Sequence, residues 1–333
     1  MKEIIEGLKN FPKREEDTFE RLRVIVKNRT ENFTNLKENE KICLEQELSI
    51  VKEMGISCII LFFYDIKEEL KDVDAVCHGV MHCSYLCYIL GLTRVNPFDY
   101  NLPFERYFWE NKKNLPLGAL VVQRGAKGKA IKYLKQRYGV DKIARLKDGK
   151  DEYVISNKSL TEKGEIVETI LHTQPGKTVW HEDVSSLTKE ETETLGLYTF
   201  TLQETKIQKY GRFTEEDIYQ KTLAFLGKRG VIPGKYRGNE EVEKIFWNTG
   251  GRYIYQEQFY EICTKILGVN NKKADKFRSV LLTRNKQTAE EIKQLCTWRL
   301  GEEGIKLFEY INSVHLYAVS KAYIIGLLFL DLY

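Results

Sequence analysis

Strand-like and helix-like segments are segregated along this chain, and that segregation restricts its fold more than any other feature. The apolar, β-branched and aromatic runs that read as strands lie at 116–122, 143–146, 166–173, 178–180 and 197–202. From Thr214 onward, apolar residues recur instead at helical spacing, over 217–227, 240–248, 254–267, 287–298 and 302–330. Strands gathered in one stretch and helices in another predict an α+β chain in two parts, with the boundary near 207–213. The first 55 residues read as helices, with one stripe at Leu22, Ile25 and Val26. A second stripe, Leu44, Leu48, Val51 and Met54, is closed by Gly55 as a C-cap. Residues 56–64 (ISCIILFFY) suit a buried strand or a buried helix, because a short apolar run has no diagnostic period. Residues 73–80 read as a loop around Gly79, 83–90 as a helix, and Asn96-Pro97 as a turn or a helix start. The amphipathic 127–138 (KGKAIKYLKQRY), between the strands at 116–122 and 143–146, makes a strand–helix–strand unit. Residues 147–159 read as loop or hairpin.

Composition narrows the class. A chain of 333 residues with 42% hydrophobic and 30% charged residues buries a full core and is not a disordered one. There is no internal repeat and no low-complexity tract. The longest apolar run, 322–330, has about half the length a membrane span needs. The N-terminus lacks the uninterrupted apolar core of a secretory signal. Seven cysteines without such a signal point to free thiols in a reducing compartment. A cytoplasmic protein without membrane contact is expected.

Three constellations could carry chemistry. Cys77, His78, His82, Cys83 and Cys87 place five soft ligands within eleven residues. Zinc accepts such donors, but the spacing matches no common knuckle, and buried small thiols are the simpler reading; no metal and no cofactor is expected. Two-metal phosphoryl chemistry needs carboxylates that hold two cations about 4 Å apart. The D-x-D at Asp72-Val73-Asp74 and the run His181-Glu182-Asp183 are the candidates, and both read more simply as solvated polar segments. No phosphate-binding glycine loop and no nucleophile elbow is present. The net charge of +4 is unevenly spread. Residues 124–150 carry ten basic side chains against Asp141 and Asp148, and 272–286 carry six against Asp275. Such stripes suit a phosphate backbone, and equally a solvated helix face.

Particular words of the sequence resemble a known family. Residues 44–55 (LEQELSIVKEMG) are similar to a lead-in of the bacterial DNA polymerase III alpha subunit, the C-family replicative polymerase. Residues 88–93 (YILGLT), then Pro97, Tyr100, Leu102 and Phe104-Glu105-Arg106-Tyr107, resemble a second block of that family. Residues 130–146 resemble the palm helix that follows. Tyr255-Gln256-Glu257-Gln258, Ala274-Asp275, Arg278 and Ala322-Tyr323 resemble the fingers signature. The order is colinear, and the match is loose over 148–253. The resemblance implies a nucleotidyltransferase-β-like palm, a mixed sheet with flanking helices, followed by a mostly helical fingers-like domain. It divides the chain into a helical lead-in (1–43), a palm-like domain (44–207) with a shortened thumb-equivalent insertion near 148–165, and a fingers-like domain (208–333). The chain is then expected to be reduced to palm and fingers, without the family's PHP domain or the parts beyond the fingers.

Departures from the pattern decide the expected activity. Aligned with the family's metal-binding aspartates stand Leu117, Ala119 and Thr201, none a carboxylate. The family's nucleotide-binding glycine motif becomes Cys77-His78-Gly79-Val80. Cations that stabilise charge on phosphates would have no ligands there. The expected function is that of a catalytically degenerate, polymerase-derived binding protein, a pseudoenzyme without catalytic residues. It would hold the backbone of DNA or RNA weakly and without sequence preference, through Lys127, Lys129, Lys132, Arg137, Arg278 and Arg284. A replication or mobile-element protein is the other expected partner. The rival readings are an active nucleotidyltransferase using Asp72, Asp74 or Glu105, and a protein scaffold that binds no nucleic acid.

Overall fold

The computed structural model describes residues 18–31, 36–72, 75–107, 119–123, 127–138, 143–145, 152–155, 200–201, 203–205, 212–282 and 286–330. The chain divides into two compact units, Met1–Gln208 with Phe329–Tyr333, and Lys209–Leu328. Helix dominates both, and sheet is sparse and confined to the first.

The first unit begins with helix α1, Thr18–Glu31, which buries Leu22 and Val26. Helix α2, Glu38–Met54, buries Leu44, Leu48 and Val51, and Gly55 closes it in the left-handed conformation. Because α2 is continuous, residue 43/44 is not a break in secondary structure. Helix α3, Ser57–Glu69, resolves the ambiguity of 56–64 in favour of a buried helix, with Ile60, Leu61, Phe63 and Ile66 inside. Its continuation through Lys67, Glu68 and Glu69 supplies the length a helix needs, and Arg21 of α1 grips Asp65 of α3 through two nitrogens. A second ion pair, Arg29–Glu68 at 2.7 Å, joins the same two helices.

Strand β1, Ala75–His78, replaces the loop expected at 73–80. Its polar approach at Lys71 and Asp72 conceals a four-residue strand whose Ala75, Val76 and Cys77 are buried. Such a strand exists only through its partner, β2, Ala119–Gln123, which lies antiparallel to it. Between them come the 3-10 turn Gly79–Cys83, helix α4, Tyr85–Ile89, and two further 3-10 turns, Pro97–Tyr100 and Phe104–Arg106. Asn96 caps the Pro97–Tyr100 turn by accepting from Phe98 N at 3.1 Å. Helix α5, Lys127–Tyr138, has the bounds its amphipathic pattern predicts and turns Ala130 into the interior. Strands β3, Ile143–Arg145, and β4, Glu152–Ile155, form an antiparallel hairpin, with β5, Phe200–Thr201, on its far side. Strand β6, Gln203–Thr205, runs parallel to β2. The first sheet thus has the order β1-β2-β6, with one antiparallel and one parallel pair. The strand expectations at 166–173 and 178–180 lie outside the described residues.

The second unit is helical. Helix α6, Glu215–Lys228, starts at a reciprocal capping box between Thr214 and Asp217. Helix α7, Glu240–Ile245, is capped by Asn239. Helix α8, Gln256–Glu261, runs on as a wider turn over Ile262–Ile266. Helix α9, Asn271–Leu282, buries Ala274, Phe277 and Leu281 and is absent from the sequence-derived list, where its lysines read as a charge stripe. Helices α10, Lys286–Leu300, and α11, Glu302–Val314, pack closely against each other. The expected helix at 302–330 is two helices, because Val319 leaves helical geometry to bridge Tyr255, and α12, Lys321–Leu330, starts afterwards. The core of this unit gathers Phe246, Tyr253, Phe259, Phe277, Ile292 and Leu307, all buried. Among the described residues, no helix is long and apolar enough to cross a membrane.

Candidate functional site

Two of the three positions aligned above with the family's aspartates lie on strands that touch, Ala119 on β2 and Thr201 on β5. His78, the last residue of β1, lies opposite Ala119, the first of β2. Gly79 follows with φ 85°, a conformation that suits a residue without Cβ, and opens the 3-10 turn Gly79–Cys83. On the other side of β2, Val121 lies alongside Gln203. Strand β5, which holds Thr201, is also in contact with β2. The glycine turn and Ala119 therefore share one end of the β1–β2 pair. Leu117 lies outside the described residues. Among the described residues, no three His, Cys, Asp or Glu side chains converge as metal ligands.

Asp72 is exposed and faces Lys129 of α5 at 3.7 Å. Glu105 is buried in the Phe104–Arg106 turn, which packs on the Gly79–Cys83 turn. Asp74 lies outside the described residues. Of the five soft ligands, Cys77, His82, Cys83 and Cys87 are buried, and the side chain of His78 lies outside the described residues. Burial pushes the Cys77 thiol up to about 12, and the Cys87 thiol well above its ordinary range. They are neutral packing groups at physiological pH rather than thiolates.

One carboxylate that sequence reasoning passed over holds this region together. Glu47 of α2 is fully buried, and its oxygens accept from Ser84 Oγ (2.5 Å), Tyr85 N (2.7 Å) and Leu86 N (3.1 Å). It thereby satisfies the free backbone donors at the start of α4. Burial pushes the Glu47 carboxyl up to about 7, against the opposing pull of those hydrogen bonds. Two blocks of the resemblance, 44–55 and 88–107, are thus tied by a single side chain reaching the residues just before the second.

The basic candidates divide. Lys129 and Lys132 are exposed on α5, three residues apart and so near one face. Lys127 and Arg137 belong to the same helix, with side chains outside the described residues, and Arg284 lies outside them altogether. Arg278 is mostly buried: its Nε and Nη2 donate to Asp275 Oδ1 at 3.0 and 2.9 Å, and its Nη1 to Gln256 Oε1 at 3.4 Å. Asp275 also accepts from Tyr260 Oη at 2.6 Å. The guanidinium is committed to the interior of the second unit.

The Tyr255-Gln256-Glu257-Gln258 segment is a hub. Gln258 Oε1 accepts from Ile254 N and Tyr255 N, both at 2.9 Å, while its amide donates to Thr249 Oγ1 at 2.8 Å. Glu257 accepts from Ser320 Oγ (2.9 Å) and Lys321 N (2.7 Å), capping α12. Gln256 binds Val319 O through its backbone and Ala318 O through its amide. Tyr255 Oη meets Thr222 Oγ1 at 3.0 Å, which reaches α6.

Comparison with known proteins adds two matches in chain order. Residues 20–172 match the family described as the bacterial DNA polymerase III alpha NTPase domain, and residues 227–303 match the bacterial DNA polymerase III alpha subunit finger domain. An error-prone DNA polymerase of Hahella chejuensis is 31% identical over 111 residues, 33% of this chain and 11% of that protein. An error-prone DNA polymerase of Corynebacterium glutamicum is 25% identical over 114 residues, 34% of this chain and 11% of that one. A DNA polymerase III subunit alpha of Halalkalibacterium halodurans is 28% identical over 106 residues, 31% of this chain and 10% of that one. The aligned segments thus span about a tenth of the length of these curated relatives.

Proposed function

The chain belongs to the bacterial DNA polymerase III alpha family, and on that premise we propose that it is a cytoplasmic pseudo-polymerase that binds nucleic acid without nucleotidyl transfer. One observation carries the reading: Ala119 opens β2 opposite His78, at the glycine turn, where the family's pattern has an aspartate. Thr201 stands on β5, a strand in contact with β2. Transfer of a nucleotidyl group relies on paired cations to neutralise the developing phosphate charge, and a methyl and a hydroxyl are poor ligands for them. The mixed pairing of β1, β2 and β6 supports a nucleotidyltransferase-β-like palm within 44–207, and the helices of 208–333 support a fingers-like domain. Binding then falls to cations such as Lys129 and Lys132 of α5, which hold phosphates without reading bases.

Primer extension tests the first half of this proposal. No extension of a primer-template is expected with Mg²⁺ or Mn²⁺. Extension that disappears in Glu105→Gln or Asp72→Asn would sink the proposal and locate the metals on those acids. A gel-shift titration at low salt tests the second half. Absence of retardation of single-stranded, duplex and primer-template DNA at micromolar protein would favour a protein-binding scaffold.

A further inference from the structure

The second unit carries a cleft that none of the motifs above accounts for. It has a volume of about 300 Å³ and is lined by Lys235, Tyr236, Arg237, Glu243, Trp247 and the pair Gly250-Gly251. Trp247 is 80% exposed, more than any other large apolar side chain of the described residues. An indole so bare gains nothing from the core of its own unit. Its loop is nevertheless firmly built: Thr249 bonds Phe246 O and Arg252 O, and Gly250 N and Gly251 N close on Trp247 O and Phe246 O. Tyr236 N donates to Gly251 O at 2.7 Å, which fastens the Lys235–Arg237 segment to the two glycines. Gly250 and Gly251 have φ 60° and 78°, so the floor between Trp247 and Lys235 carries no side chain. A Cβ at Gly251 would fall 3.9 Å from the Lys235 stem.

Charge favours an anion beside the ring. Lys235 and Arg237 are exposed cations. The single lining carboxylate, Glu243, is engaged by Gly238 N at 3.0 Å and lies 3.9 Å from Arg237. A flat, unpartnered aromatic face beside two cations over a floor of glycine has the chemistry of a stacking platform. Every base offers a π-face, and each stacked base contributes about 1–3 kcal/mol in proteins that hold single strands. We infer that Trp247 stacks an unpaired base of single-stranded DNA while Lys235 and Arg237 hold its flanking phosphates. This subsite rests on the nucleic-acid reading above and lies in the helical unit.

The test uses the full chain and two twelve-residue strands, oligo(dT) and an all-abasic strand with the same phosphates. Fluorescence polarisation at low salt is expected to show tighter binding of oligo(dT) by about tenfold. Trp247→Ala should abolish that preference and leave the abasic affinity unchanged, while Trp247→Phe should retain most of it. Lys235→Glu with Arg237→Glu should weaken both strands and flatten the salt dependence. Equal affinity of the native chain for the two strands overturns the inference alone, provided binding falls on charge reversal at Lys129 and Lys132. Binding of neither strand overturns it together with the nucleic-acid reading. Preference for oligo(U) over oligo(dT) overturns the assignment to DNA.

Discussion

Glu47 shows how one side chain can matter more than its place in a helical stripe suggests. Its carboxyl is raised from the ordinary carboxylate range to about 7 by burial. A raised acid favours the protonated folded state, so its contribution to stability is full below pH ~4.5 and falls as pH rises through about 7. The native chain should therefore lose about 2 kcal/mol relative to Glu47→Gln between pH 5.5 and 8, because the slope of about 1.36 kcal/mol per pH unit acts only up to about pH 7 and is flat above it. Urea titrations of both proteins at the two pH values measure the difference, and a constant difference would show that Glu47 stays ionised. Gly304 sets a steric limit of a different kind. A methyl there would fall far inside van der Waals contact distance of the Cys296 carbonyl oxygen, where α10 turns into α11. Backbone cannot swing aside as a side chain can, so Gly304→Ala should cost about 3 kcal/mol, as overpacking does in a tight core. Thermal unfolding checks this, and a melting temperature within a degree of the native one would contradict the close approach.

At the scale of elements, α5 is the piece whose surface the proposed function uses. Ala130 faces inward, and Lys129 and Lys132 face out, with Asp72 as a surface partner of Lys129. An exposed ion pair of that kind contributes little and leaves the lysine available to a phosphate. If both lysines touch phosphates on duplex DNA, Lys129→Glu with Lys132→Glu should lower the log–log salt slope by about two units. Affinity measured across a salt series decides it; an unchanged slope would return α5 to a merely solvated face. The hub at Tyr255-Gln256-Glu257-Gln258 is an element-level feature of the opposite sort. Read in one dimension it is a motif. Folded, it is a clamp between α6, α9 and α12, which its polar atoms bind one by one. Buried polar atoms left without partners are costly. Gln258→Leu should accordingly destabilise the second unit by about 2 kcal/mol, since two backbone N–H groups lose their acceptor.

At the scale of the whole molecule, the second unit closes a hydrophobic core of its own around Phe246, Phe259, Phe277 and Leu307. Residues 209–328 expressed alone should therefore unfold in one cooperative transition by circular dichroism. A broad, non-cooperative melt would mean that its core depends on the rest of the chain. The sequence by itself determined what depends on neighbours within a few turns: the bounds of α5, the Gly55 stop, the helical character of the second unit and the family words. Periodicity and capping act over about ten residues, so one stretch of text contains their cause. Tertiary structure alone decided the remainder. The run 56–64 became helix, β1 emerged from a polar segment through a partner more than forty residues away, and 302–330 broke where Val319 met Tyr255. Arg278, expected among the cations that hold a nucleic-acid backbone, was drawn inside by Asp275, and Ala119 met His78 through sheet register. Each of these depends on which distant group supplies a hydrogen bond or a charge, and spacing along a chain carries no record of that.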